Sequence, residues 1–109
     1  MPRDEVEAAY FTLLRAREEL DALRRYDEYL LAEAQRLRRS TSEAGALRDG
    51  VDPRLLRALR HSDAPLAQAV TARLAVLAEE HASLPERVSA AEAYVEDCER
   101  AHRELQGGR

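Results

Sequence analysis

Residues 6–37 read VEAAYFTLLRAREELDALRRYDEYLLAEAQRL, and their spacing decides the fold. Val6, Ala9, Leu13, Ala16, Leu20, Leu23, Asp27, Leu30, Ala34 and Leu37 recur at alternating steps of three and four, and nine of these ten are apolar. That alternation is the heptad seam of a coiled coil, in which one stripe of a helix packs on a partner. No glycine or proline interrupts the stretch, so a helix is predicted over residues 4–39.

A second seam follows at Val70, Leu74, Leu77, His81, Leu84, Val88, Ala91, Val95, Cys98, His102 and Leu105. Nine of these eleven are apolar, and the other two are histidines. A long helix is predicted over residues 63–106. Pro85 falls inside it, removes a backbone donor and crowds the carbonyl of His81. Ser83 and Glu86 have the spacing of a capping box, which would suit a new start. The helix is therefore bent or broken near Pro85, and the unbroken heptad phase favours the bend.

Residues 40–62 separate the two seams. Ser40-Thr41-Ser42-Glu43 and the glycines at 45 and 50 predict a stop and a loop. Asp52-Pro53 predicts a short helix, with Asp at the cap and Pro at the first helical position. Ser62-Asp63-Ala64-Pro65 reads as the restart into the last helix.

Composition agrees with this reading. The 109 residues make one domain. Of the 49 hydrophobic residues 36 are Ala or Leu, with no Ile or Trp, so strands are disfavoured. No apolar run approaches the ~20 residues a membrane span needs. The N-terminus shows no signal-peptide pattern and Cys98 is single, so a reducing cytoplasm is expected. The predicted architecture is a single all-α domain over 1–109: a long antiparallel, coiled-coil-like helical hairpin with a short helical insert at its turn. Tyr10, Phe11 and Leu14 widen the apolar face near the open end, with Tyr94 close by on the returning helix. Tyr26, Tyr29 and Leu31 do the same mid-stem. This surplus predicts dimerisation into a helical bundle.

Charge is sorted along the chain. Residues 1–35 carry net −4, residues 36–60 net +4, and residues 61–109 net −4. All 17 basic residues are Arg. Arg36, Arg38, Arg39, Arg48, Arg54, Arg57 and Arg60 gather at the turn, where they would attract an acidic partner or a phosphate. Arginines at the end of a helix also complement its dipole, and the alternative reading of this group is an ordinary solvated face. No aromatic residue lies between Arg39 and His61, which argues against a single-stranded nucleic-acid platform.

The chemistry-bearing residues are few. Asp27 is the one acid in the first seam. Pairing Arg39 with Pro65 across the turn sets it near Leu77, with His81 and Arg73 about one turn away, so a polar stem pair is expected, fixing register. Glu99-x-x-His102 matches the helical element of di-iron carboxylate bundles. The three histidines among 21 acids make chance matches common, so no metal site is assigned. Cys98 sits in a seam and reads as a packed thiol. No phosphate-cradling glycine loop is present, and no cofactor is implied.

Two family resemblances bear on function. Leu20-Asp21-Ala22-Leu23-Arg24-Arg25 followed by Leu30-Leu31, with Gly50-Val51-Asp52-Pro53, resembles the first helix and a turn of the AroQ-type chorismate mutases over about a fifth of the chain. That resemblance implies a small all-helical enzyme with a basic site including a lysine, and this chain has no lysine. Glu79-x3-Ser83 resembles the start of the motif of actinobacterial anti-sigma hairpins that bind cyclic di-GMP. Glu86 stands there in place of Arg and Ala90 in place of Gln. Glu18 and Arg25 repeat the spacing on the first helix. This second resemblance implies a nucleotide-binding regulator.

The residues themselves favour a non-catalytic interaction module, a regulatory adaptor, anti-factor or assembly component. It would present an apolar stem to a second copy and a basic tip to an acidic protein.

Overall fold

The computed structural model describes residues 2–48 and 50–108, and of residues 2, 3, 46–48 and 62 the backbone alone. Two helices account for nearly all of it, α1 (Pro2–Arg48) and α2 (Pro53–Gly107). They pack antiparallel as a helical hairpin. Arg17 reaches Glu99 and Arg24 reaches Glu92, so seven residues forward on α1 is seven back on α2. Among the described residues no helix is long and apolar enough to cross a membrane.

The turn differs in detail from the sequence expectation. The helical segment begins at Pro53 as predicted, and Asp52 caps it. The Arg54 amide donates to Asp52 Oδ1 at 2.9 Å, and the Leu56 amide to the Asp52 carbonyl at 2.8 Å. That segment does not stop at residue 62 but runs on as the first turns of α2, through both Pro65 and Pro85. Its continuation has a packing cause. The heptad extends back from Val70 through Leu66, Asp63, Leu59 and Leu56 at steps of four and three, so the stripe outlasts one lost backbone bond.

Likewise α1 does not end at Arg39 but continues to Arg48. Thr41 Oγ1 donates to the Leu37 carbonyl at 3.0 Å, so its hydroxyl is satisfied inside the helix. Gly45 keeps helical backbone, and the left-handed turn residue is Gly50, with φ of 88°.

The chain forms two compact units, each built from both helices. Unit 1 takes Met1–Glu28 and Ser83–Arg109. Its core is Leu13, Ala16, Leu20, Val95 and Cys98, with Val88 and Ala91 packed on it, all at predicted seam positions. Leu84 is the most enclosed side chain. Unit 2 takes Tyr29–Ala82 and buries Leu30 and Ala34 from α1 and Leu77 from α2. All ten seam positions of α1 are buried or half-buried. On α2 the exceptions are His81 and Leu105, which are exposed.

Candidate functional site

The polar side chains singled out for the stem are divided between the units, Asp27 in unit 1 and His81 and Arg73 in unit 2. Asp27 is half-buried, and His81 and Arg73 are exposed. Among the described residues no polar or charged side chain is fully buried. Glu99 is half-buried and is met by Arg17 at 3.4 Å. His102, also half-buried, meets Tyr10 with ring centroids 5.7 Å apart and planes tilted at 42°. Among the described residues no group of three or more His, Cys, Asp or Glu could hold a metal ion. Cys98 is a free, buried thiol.

Two surfaces remain, one on each unit. In unit 1, Tyr10 and Phe11 are exposed on α1, with ring centroids 5.8 Å apart and planes at 58°. Phe11 is 57% exposed and Leu14 beside it is half-buried. A shallow cleft of about 460 Å³ opens next to these rings, between Val6 and Glu7 on α1 and His102 and Gln106 on α2. Tyr94 is exposed too. Its phenol feels the Cys98 thiol one turn on and the charges of Glu19 and Arg15 on α1. The Cys98 contact, then its charge, holds the Tyr94 phenol above its ordinary pKa.

Unit 2 carries the arginines. Arg36, Arg38 and Arg39 from α1 and Arg54, Arg57 and Arg60 from α2 are all exposed. Arg36 is paired with Glu33 on its own helix, which offsets part of its charge. The side chain of Arg48 lies outside the described residues. Between the two helices of this unit runs a trough of about 580 Å³. Leu37, Ala44 and Gly45 line it from α1, and Ala64, Leu66 and Ala67 from α2, with Arg60 on its wall.

This trough was not anticipated from the sequence. The signal was the backward extension of the second heptad to Leu56, hidden by a Ser-Asp-Ala-Pro run that looks like a helix start. Comparison of the chain with protein-family models, with curated proteins and with solved structures finds no match.

Proposed function

We propose that this chain is a helical protein–protein interaction module, with an apolar face for self-association and an arginine-bearing face for an acidic protein partner. One observation carries the reading: large apolar side chains stand in solvent on both units. Phe11 is 57% exposed although Leu13 two residues on is buried, and Leu66 is 65% exposed although Leu59 and Val70 on either side of it in the seam are half-buried. An apolar side chain left in water forfeits roughly 1.5–3 kcal/mol that burial would return, so surfaces of this kind mark binding sites. The absence of a fully buried polar side chain among the described residues supports binding over catalysis, since a reacting group needs a polar site shielded from water. The charge of the turn region supports an acidic partner.

Native mass spectrometry at low salt, on protein purified gently from its own host, tests this. A homodimer together with a stoichiometric second protein is the expected result. Reversing Arg54, Arg57 and Arg60 to Glu should strip the second protein and leave the homodimer. A stoichiometric nucleotide or metal ion in place of a protein would overturn the reading.

A further inference from the structure

The trough of unit 2 follows from the heptad. After Leu37 the α1 seam passes to Thr41 and Ala44, with Gly45 beside them, where earlier turns supply Leu30 and Leu37. Small knobs leave their holes unfilled. The opposing α2 stripe keeps its leucines, so Leu66 stands 65% exposed although it occupies a seam position. The one hydroxyl in this part of the α1 seam is already spent on the Leu37 carbonyl. What remains is a mainly apolar channel, with Ser40, Arg60 and Asp63 as its other polar lining and with Ala44, Gly45, Ala64 and Ala67 where a third backbone can come close.

We propose that this trough receives one amphipathic helix from a different protein, with an apolar ridge and acidic flanks. The inference rests on the interaction-module reading above and names the partner's chemistry. Its lining on α2 runs from Arg60 to Val70, which is ~15 Å or about three helical turns at ~1.5 Å per residue. A visiting helix would set side chains at i, i+3 or i+4, and i+7 into it. Charge selects the visitor. Arg60 and Asp63 are both on the wall, and six further exposed arginines, Arg36, Arg38, Arg39, Arg54, Arg57 and Arg73, stand on the same unit. A second copy docking tip to tip would set +4 against +4, which disfavours it against an acidic visitor.

The test uses the full chain and two designed helical peptides with leucines at three- and four-residue spacing. One carries glutamates on both flanks, the other lysines, and fluorescence anisotropy reads binding. The glutamate peptide is expected to bind and the lysine peptide to bind at least about tenfold more weakly. Gly45→Leu is the decisive variant. A Cβ at Gly45 meets nothing within 4 Å, and the position is helical, so the variant keeps its fold while filling the trough. It should lose about tenfold or more in affinity with an unchanged or higher melting temperature. Arg60→Glu should weaken the glutamate peptide and strengthen the lysine peptide. Failure of the glutamate peptide to bind, equal binding of both peptides, or full binding by Gly45→Leu would each overturn the proposal. So would a wild-type oligomer that Gly45→Leu converts to monomer in sedimentation, because the occupant would then be a second copy. If the peptides fail while reversal of Arg54, Arg57 and Arg60 still strips a host partner, the trough inference falls alone and the interaction-module reading stands.

Discussion

Gly45 and Gly50 lie in adjoining turns of the chain and respond to the same substitution with opposite sign. Gly45 is helical with open space around its Cα, so Gly45→Ala should stabilise the protein by roughly 0.5–1 kcal/mol through the lower entropy of the unfolded chain. Gly50 has φ of 88°, where an L side chain strains, so Gly50→Ala should cost about 1 kcal/mol despite equally open space. Urea melts of the two variants check both signs. Tyr94 offers a pH signature. Its folded pKa is raised by Cys98, so its contribution to stability is complete below the ordinary phenol pKa and is lost as pH rises through the folded value. Ultraviolet titration should show a late-ionising tyrosine that is lost in Tyr94→Phe and ionises earlier in Cys98→Ala. The sequence offered no way to tell the two glycines apart, because both stand among turn-forming neighbours and only backbone geometry separates them.

Within the helices, burial sorts the leucines. Leu84 is 1% exposed, so Leu84→Ala should cost roughly 2–5 kcal/mol, more than truncation of any half-buried seam residue. Its neighbour Pro85 lies inside α2 and withholds one backbone bond from the His81 carbonyl. Pro85→Ala should therefore raise stability, by up to ~3 kcal/mol in the same melts. The seams were legible because packing repeats every heptad, and a leucine at a seam position has few alternatives to burial. Helix ends were less legible. Ser, Thr, Gly and Pro carry stop signals only when nothing else engages them, and here Thr41 bonds back into α1 while the α2 stripe carries the helix past Pro65. For the same reason the arginines could be named from the sequence but the trough beside them could not.

At the scale of the molecule, exposed apolar surface and sorted charge make separable predictions. Phe11→Asp should reduce self-association in sedimentation and leave the melting temperature nearly unchanged, since the ring contributes little to the core of unit 1. Association through the arginine face should weaken steeply as salt is raised, and association through Phe11 should not. The two units also differ in how the chain supplies them. Unit 2 is one unbroken segment, whereas unit 1 joins the first 28 residues to those from Ser83 onward. Leu13, Ala16 and Leu20 thus wait for partners that leave the ribosome after the whole of unit 2, while unit 2 can close over short loops earlier in synthesis. A chain halted before Val95 would still hold every residue of its middle and would leave its first heptads exposed, open to proteases and to any other apolar helix nearby.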